Sequence, residues 1–597
     1  MTATRRAAVL LTLIIPLACG TLATAEPIAP IERRLPPKGD QLSASDRTKL
    51  KFELAGLQGQ IKGLKGIMKA ETVPDVEIFT TAVELALAHD EFYNEGDADR
   101  AMELLKTART RLYAWAKSET PWTEQRGTVV RGYQSKVDGS VQPYGLVIPE
   151  ELDLSKPAPL YVWLHGRGDQ KTNLAFLVER QSRVGQIAPG DAIVLHPFGR
   201  HCIGFKSAGE IDVIEAIDHA ASQYNIDRRR IVLMGFSMGG AGCWHVGAHY
   251  TDRFAAISPG AGFAETARYT NTRIADVPRY ERKLWGVYDV PCYTRNLFNL
   301  PVVAYSGEND KQIQAARVME EAFAAEGRKL THLIGPGTGH KYHPDTLAEI
   351  LRRMKAARDE GLDTNPQSVS LQTRTLRYNR MHWVEVMGLA EHWEDSRVDA
   401  ERTAEDSLQV TTKNITALRL RNDELPAEVA VEIDGQNLQV KTFPDAEGKN
   451  MVSLIHHNGT WQSGPTERGA IVKLPGVQGP IDDAFLAPFL VVLPSGKCRH
   501  EAVQRWVEFE QQHFLDRWRA LFRGSPRVKQ DTEVTDEDVA NYNLILWGDA
   551  QSNALIKRTD GWGPIEWGED SIQVGERRFA SDRHVPIYIY PNREALN

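Results

Sequence analysis

Hydrophobic residues first recur at helical spacing between residues 43 and 117. Steps of three and four residues place one set of side chains on a single helix face. The first set comprises Leu50, Leu54, Leu57, Ile61, Leu64 and Met68. Two further sets follow Pro74 and Asp97. The short connections predict three helices that form a small hairpin or bundle, preceded by a linker at residues 26–42.

From residue 127 the pattern changes to short apolar runs. Residues 129–137 and 142–149 flank an Asp138-Gly139 turn and predict a β-hairpin. The next runs lie at residues 160–164, 192–196, 231–234 and 302–305, and helix-compatible sequence follows the first three. Apolar strands that alternate with helices indicate a mostly parallel sheet covered on both faces. We therefore predict an α/β domain over residues 127–360.

Two further regions follow residue 360. Five short runs separated by polar turns predict a β-sandwich over residues 370–475. Residues 484–597 then alternate between strand and helix patterns and predict a small α/β domain. That domain would contain strands at 489–493 and 543–547, a helix at 505–522 and a final strand at 585–590.

Composition and charge narrow the class of protein. The chain has 597 residues, 42% of them hydrophobic and 25% charged, which is typical of a globular protein with two to four domains. The first 25 residues hold two arginines and no acidic residue, so the remainder carries 69 basic and 79 acidic residues, a net charge of −10. This acidic balance gives no reason to expect nucleic acid or an anionic membrane as a partner.

The N-terminus has the pattern of a signal peptide. Arg5 and Arg6 precede an apolar run at residues 7–17, and small residues at 23–25 offer a cleavage site before Glu26. Later stretches are too short or too polar to span a membrane. We therefore expect a secreted or periplasmic protein. Cys202, Cys243, Cys292 and Cys498 would remain, either as one or two disulfides or as unpaired thiols.

A candidate nucleophile lies at the end of the apolar run 231–234. The sequence there is Gly235-Phe236-Ser237-Met238-Gly239, followed by helix-forming residues. In a strand–turn–helix context, a GxSxG pattern describes a nucleophile elbow that lifts the serine hydroxyl clear of the sheet. Ser237 is therefore predicted to be the nucleophile.

A serine nucleophile needs a histidine base and an acid that orients it. Asp310 follows the strand at 302–305, and His340 ends a glycine-rich loop after strand-like residues 331–334. The order serine, acid, histidine is that of an α/β-hydrolase. Glu308 and His343 are the nearest alternatives for the acid and the base.

The predicted mechanism also needs two amide donors for an oxyanion. Residues 164–169, Leu-His-Gly-Arg-Gly-Asp, follow the strand at 160–164. Such folds place the first donor in this loop, so we assign it to the Arg167 amide, and we assign the second to Met238, next to the nucleophile. No metal or nucleotide motif accompanies these residues, so no metal and no cofactor is expected.

These motifs resemble those of known enzymes. Residues 164–169 and 235–240 are similar to the carboxylesterase and thioesterase branch of the α/β-hydrolases. The hairpin, the turn at 306–310 and Gly339-His340 also resemble dienelactone hydrolases and the catalytic domain of prolyl oligopeptidases (peptidase S9). The resemblance covers residues 127–360 and implies an α/β-hydrolase fold and serine hydrolysis. The chain departs from prolyl oligopeptidases because about 80 helical residues stand where those enzymes have a β-propeller.

Three functions follow from these observations. The first is an exported hydrolase of carboxylic esters, with acyl or feruloyl esters of a polysaccharide as candidate substrates. The second is a serine peptidase that acts on short peptides. The third is a non-catalytic scaffold or adhesion protein with a vestigial hydrolase domain.

Overall fold

The N-terminal part of the described chain is helical. The computed structural model describes residues 35–66, 70–422, 424–445, 447–464, 472–559 and 563–591. The predicted apolar faces of the helices pack against one another and are buried, with Leu64 half-buried. Met68, the predicted signal peptide and most of the predicted linker lie outside the described residues. The helices are α1 (Ala44–Leu64), α2 (Pro74–His89) and α3 (Asp97–Ala116).

A large mixed sheet follows these helices. Its strands are β1 (Gly127–Gln134), β2 (Val141–Ile148), β3 (Ala158–Leu164), β4 (Ile193–Pro197), β5 (Ile226–Phe236), β6 (Ala256–Gly260), β7 (Val303–Gly307) and β8 (Thr331–Gly335). Their order is β1-β2-β4-β3-β5-β6-β7-β8. The β1–β2 and β2–β4 pairs are antiparallel and the remaining pairs are parallel.

Helices cover both faces of this sheet. Alternate residues of β5 join different apolar clusters, because Leu233 packs into one core and Val232 and Met234 into another. This two-sided burial explains why the strands read as continuous apolar runs. The helices that contact its strands are α4 (Asn173–Ser182), α5 (Ala208–Gln223), α6 (Met238–His249), α9 (Ile313–Ala325) and α10 (Pro344–Glu360). Two short helices, α7 (Thr266–Thr270) and α8 (Arg279–Trp285), lie in the segment between β6 and β7.

Two antiparallel-rich sheets form a sandwich after α10. One core contains the inward side chains of both sheets. The strands are β9 (Ser368–Thr373), β10 (Arg380–Met381), β11 (Val384–Leu389), β12 (Ser396–Ala404), β13 (Ser407–Lys413), β14 (Ile415–Arg421), β15 (Glu428–Ile433), β16 (Gln436–Lys441), β17 (Phe443–Pro444), β18 (Asn450–His457) and β19 (Thr460–Ser463). One sheet has the order β10-β11-β14-β18-β17 with β19 beside β18, and the other has the order β16-β15-β13-β12-β9.

The C-terminal part combines a small parallel sheet with a small antiparallel one. Its elements are β20 (Phe489–Leu493), α11 (Glu501–Phe522), β21 (Arg527–Gln530), α12 (Asp536–Asn541), β22 (Asn543–Leu546), α13 (Ala554–Arg558), β23 (Ile565–Trp567), β24 (Ser571–Val574) and β25 (Arg577–Ala580). Strand β20 lies between β21 and β22 and is parallel to both. The predicted fold class is therefore confirmed: a helical segment, an α/β-hydrolase-type sheet, a sandwich and a terminal α/β unit.

The predicted final strand at 585–590 is wrong. These residues have no strand pairing, and Ile587 and Tyr588 are largely exposed. Pro586 and Pro591 bracket the apolar run, and proline cannot donate a hydrogen bond to a neighbouring strand. A β-branched sequence without a partner strand does not form a sheet.

The terminal α/β unit is joined to the rest of the chain through buried polar groups. Arg523, at the end of α11, donates to both carboxylate oxygens of Glu91, at 2.8 and 2.5 Å, and both charged groups of this pair are fully buried. Trp518 donates to Asp138 in the β1–β2 turn, and Arg200 pairs with the same carboxylate at 2.7 Å. These contacts fix α11 against the β-hairpin.

The structure also bears on the pairing of the cysteines and on membrane-spanning helices in the described part of the chain. Its four cysteines are free thiols, so no disulfide forms among them. Within the same ranges, no helix is both long enough and apolar enough to cross a bilayer.

Candidate active site

Ser237 occupies a strained turn between β5 and α6. Its backbone has φ 60° and ψ −121°, a conformation that L-residues rarely adopt. The turn is tight because a Cβ on Gly239 would lie 1.9 Å from the carbonyl oxygen of Leu164. Glycine at position 239 therefore lets the nucleophile turn sit directly against the end of β3, as the GxSxG pattern predicted.

The structure brings Ser237, His340 and Asp310 together. His340 Nε2 lies 2.9 Å from Ser237 Oγ, and His340 Nδ1 lies 2.7 Å from Asp310 Oδ2. With the ring proton on Nδ1, the Nδ1–H group donates a hydrogen bond to Asp310 Oδ2, and Nε2 is left to accept the proton of the serine hydroxyl. The Asp310 side chain is only 3% exposed, whereas the His340 side chain is 43% exposed, so the base faces the substrate side.

Neighbouring residues hold the acid and the base in place. Asp310 Oδ1 accepts a hydrogen bond from the Gln312 amide at 2.9 Å, which fixes the rotation of the carboxylate. The His340 ring packs on the ring of Phe236, with centroids 4.8 Å apart. The residue before the nucleophile therefore supports the base.

The two alternative residues have other partners. The Glu308 carboxylate accepts a 2.6 Å hydrogen bond from the Gly337 amide and so fixes the loop that carries His340. The amide of His343 donates to the Tyr305 hydroxyl at 2.8 Å, and His343 precedes the first residue of α10. Of the four residues considered, Asp310 and His340 are the two in the hydrogen-bonded chain to Ser237.

The loop after β3 comes close to the nucleophile. A Cβ built on Gly166 would lie 3.6 Å from Ser237 Cβ. The Arg167 side chain is 59% exposed and pairs with Asp169 at 2.6 Å, so it lies at the surface of this loop. Met238 is the first residue of α6, where backbone N–H groups have no acceptor within the helix. The oxyanion roles of the Arg167 and Met238 amides remain predictions.

Sequence reasoning missed the residue that holds this loop. Cys202 Sγ donates to the Gly168 carbonyl at 3.0 Å and accepts from the Gly168 amide at 3.3 Å. Burial raises the pKa of the Cys202 thiol, which keeps it protonated for this role. The contact joins positions 34 residues apart, and no spacing in the sequence signals it.

One buried cluster in the described chain has the donor atoms of a metal site. Glu210, His245 and His249 each place one ligand atom within 4.8 Å of the others. Both Glu210 oxygens already bind protein groups, because Oε1 contacts His249 Nδ1 at 2.8 Å and Oε2 accepts from the Tyr378 hydroxyl at 3.0 Å. This buried Glu/His cluster is thus part of a hydrogen-bond network between α5, α6 and the start of the sandwich. It does not contact the Ser237 hydroxyl.

Comparisons with known proteins agree with this geometry. Residues 206–356, about a quarter of the chain, match the model of the prolyl oligopeptidase family (peptidase S9). That segment includes Ser237, Asp310 and His340. No curated protein has a sequence that matches this chain significantly.

Three solved structures illustrate the structural similarity. Fluorophosphonate-binding serine hydrolase F of Staphylococcus aureus has 19% identity and a TM-score of 0.30, with 39% of this chain and 99% of that chain covered. The S-formylglutathione hydrolase FrmB of S. aureus has 18% identity and a TM-score of 0.29, with 39% and 98% covered. The acylaminoacyl peptidase of Pyrococcus horikoshii has 13% identity and a TM-score of 0.30, with 42% and 43% covered. The fold, the site geometry and the match over residues 206–356 are consistent with the α/β-hydrolase superfamily of serine hydrolases.

Proposed function

We propose that this protein hydrolyses carboxylic esters through an acyl-enzyme on Ser237. The observation that carries the proposal is the continuous chain of hydrogen bonds from Ser237 Oγ through His340 to Asp310, at 2.9 and 2.7 Å. A hydroxyl bonded to a neutral histidine, whose other nitrogen is held by a buried carboxylate, has the arrangement of an activated nucleophile.

The reaction would take two steps. In the first, Ser237 Oγ attacks the ester carbonyl while His340 takes the hydroxyl proton, and the Arg167 and Met238 amides stabilise the oxyanion. His340 then gives the proton to the departing alcohol, and Asp310 stabilises the protonated ring. In the second step, His340 removes a proton from water as the water attacks the acyl carbonyl. His340 then returns that proton to Ser237 Oγ as the bond between Oγ and the acyl group breaks and the acid is released.

The part of the chain before the sheet argues against a proline-specific peptidase of the prolyl oligopeptidase type. Helices α1–α3 precede β1, and no propeller-like set of strands lies between residues 35 and 126 in the described part of the chain. The prolyl oligopeptidases that the hydrolase domain resembles have a β-propeller at this position. The family match itself keeps a serine peptidase as the second candidate. A vestigial domain is disfavoured because all three side chains are present and bonded.

Export and a polymeric substrate belong to the same proposal. The predicted signal peptide supports secretion or a periplasmic location, and the β-sandwich offers a surface for a polysaccharide that carries the ester. Expression of the full chain in a Gram-negative host, followed by N-terminal sequencing of the periplasmic fraction, tests export. We expect the mature chain to begin at Glu26.

A paired assay tests the reaction. We expect 4-nitrophenyl acetate and butyrate to be hydrolysed with kcat/KM at least about 10³ times that for a prolyl 4-nitroanilide peptide. Ser237→Ala should lower kcat on the ester by about 10⁶ without unfolding the protein. Equal rates on the ester and the peptide would favour the peptidase instead, and a variant with a tenth of the turnover would exclude Ser237 as nucleophile.

A further inference from the structure

A cavity of about 220 Å³ adjoins the candidate active site on the side of α4. Trp163 and Phe236, at the ends of β3 and β5, form its aromatic walls together with Phe176. At roughly 30 Å³ for each water molecule, the volume suits one small ring or a short branched group.

The cavity lies beside the reacting atoms, because two of the residues that line it contact Ser237 or His340. Gly166 lines it, and a Cβ on that residue would lie 3.6 Å from Ser237 Cβ. Phe236 also lines it, and its ring contacts the ring of His340. A group bound in the cavity would therefore belong to the ester that Ser237 attacks, or would compete with it.

The polar end of the cavity carries two cations and one carboxylate. Lys171 Nζ lies 2.8 Å from Glu179 Oε2, and Arg180 Nη2 lies 2.5 Å from Glu179 Oε1. Burial alone would raise the pKa of Glu179, but its bonds with Lys171 and Arg180 outweigh burial and lower that pKa. One positive charge is therefore left over, beside an Arg180 side chain that is only 6% exposed. An uncompensated buried cation favours an anionic partner.

His196, in the wall of the same cavity, has a ring nitrogen without a hydrogen-bond partner among the described residues. His196 is 3% exposed, and its Nε2 has no partner in the described part of the chain. Burial lowers the pKa of His196 to about 3, and its ring also bonds with the backbone of Val184, so the ring is neutral and Nε2 can accept. Gly185 leaves room for the ring, because a Cβ there would lie 2.9 Å from His196 Cε1. A buried acceptor of this kind needs a donor such as a hydroxyl group.

We propose that this cavity binds the part of the ester substrate that carries a carboxylate and at least one hydroxyl group. The carboxylate would lie against Lys171 and Arg180, and the hydroxyl would donate to His196 Nε2. This inference rests on the proposed ester hydrolysis, and it narrows the substrate class to esters that keep a free carboxylate and a hydroxyl group, such as O-acylated acidic sugars.

Three small probes separate the two recognition elements. Glucuronate carries a carboxylate and hydroxyl groups, glucose carries only hydroxyl groups, and cyclohexanecarboxylate carries only the carboxylate. Each is tested as a competitive inhibitor of 4-nitrophenyl acetate hydrolysis. We expect glucuronate to bind about tenfold more tightly than either of the others, since one hydrogen bond to a charged or buried group accounts for a factor of that size.

Variants of Lys171 form the second part of the inhibition experiment. Lys171→Met should weaken glucuronate about tenfold relative to glucose, Lys171→Arg should restore most of the difference, and Lys106→Met on α3 should change neither constant. Lys106 is a suitable control because it is an exposed lysine paired with a glutamate, as Lys171 is paired. Circular dichroism melting curves show whether each variant is folded.

Calorimetry keeps this inference separate from the proposed function. Glucuronate binding is also measured on the Ser237→Ala protein, which needs no turnover. Binding to that protein without ester hydrolysis by the wild type would refute the proposed function and retain the pocket. Ester hydrolysis with equal inhibition by all three probes, unchanged in Lys171→Met, would refute the pocket and retain the proposed function.

Discussion

Asp310→Asn is the change that most sharply tests how the acid works. In the wild-type site, Asp310 Oδ1 accepts from the Gln312 amide and Oδ2 faces His340 Nδ1 at 2.7 Å. An asparagine at this position would keep its amide oxygen on the Gln312 N–H and turn its NH₂ group towards His340. His340 Nδ1 would then have to accept, so its proton would move to Nε2, the atom that must take the proton of Ser237.

The size of this effect follows from that tautomer. A triad with the wrong histidine tautomer loses about 10⁴ in kcat, which corresponds to about 5 kcal/mol of barrier at 1.36 kcal/mol for each factor of ten. Little should change in stability, because an amide replaces a carboxylate of the same shape. Glu308→Gln is the matched control and should lower kcat less than about tenfold, because the glutamine oxygen can still accept from Gly337.

Steady-state hydrolysis of 4-nitrophenyl acetate by the two variants, with urea midpoints to confirm folding, gives the answer. A loss below a factor of 100 for Asp310→Asn would refute the proposed orientation of His340. A larger loss for Glu308→Gln than for Asp310→Asn would show that Glu308 is the acid.

The remaining predictions concern stability and metal dependence. Glu91→Gln should lower the free energy of unfolding by about 3–5 kcal/mol in urea titrations, because it leaves the fully buried Arg523 without its charge partner. As the control, Glu103→Gln at an exposed ion pair should lower it by less than about 1 kcal/mol, and equal losses in the two variants would contradict the prediction. Burial lowers the pKa of His165 to about 4 and that of His196 to about 3, so unfolding takes up protons below about pH 6.5. The free energy of unfolding should therefore fall between pH 7.5 and 5.5, by about 1.4 kcal/mol for each histidine. Burial raises the pKa of Asp212 to about 6, which opposes part of this loss, whereas carboxylates with a lowered pKa, such as Asp191, lose their contribution only at lower pH. Equal urea midpoints at the two pH values would refute the prediction. EDTA should leave ester turnover unchanged, and a loss that added metal restores would show that the buried Glu/His cluster binds a metal the enzyme needs.

The sheet and the position of Ser237 in a strand–helix turn could be predicted from the sequence because both have strong local signals. Strands β3 and β4, together with residues 231–235 of β5, are buried on both faces and read as apolar runs. The glycines around Ser237 are required by backbone contacts shorter than a Cβ allows, so the motif reflects sterics directly. The acid and the base could be chosen because each follows a strand in the order that the fold imposes.

Other features depend on contacts that no local pattern encodes. Strand β6 was not predicted because it ends in Pro259 and Gly260, two residue types that are depleted in strands. The run at 585–590 has strand composition but finds no partner strand. Cys202 and the Lys171–Glu179–Arg180 group act through residues brought together by folding. The sequence alone therefore predicted the candidate active-site residues but not the cavity beside them.

Labelling with a fluorophosphonate probe tests the central claim most directly. Such probes form a covalent bond only with an activated serine, so the measurement reports nucleophile and base together without requiring the natural substrate. Intact-mass and peptide mass spectrometry should show one probe per chain, attached at Ser237, with labelling abolished in Ser237→Ala and strongly slowed in His340→Ala. Labelling at another serine, or none on the folded wild-type protein, would contradict the assignment of Ser237 and His340.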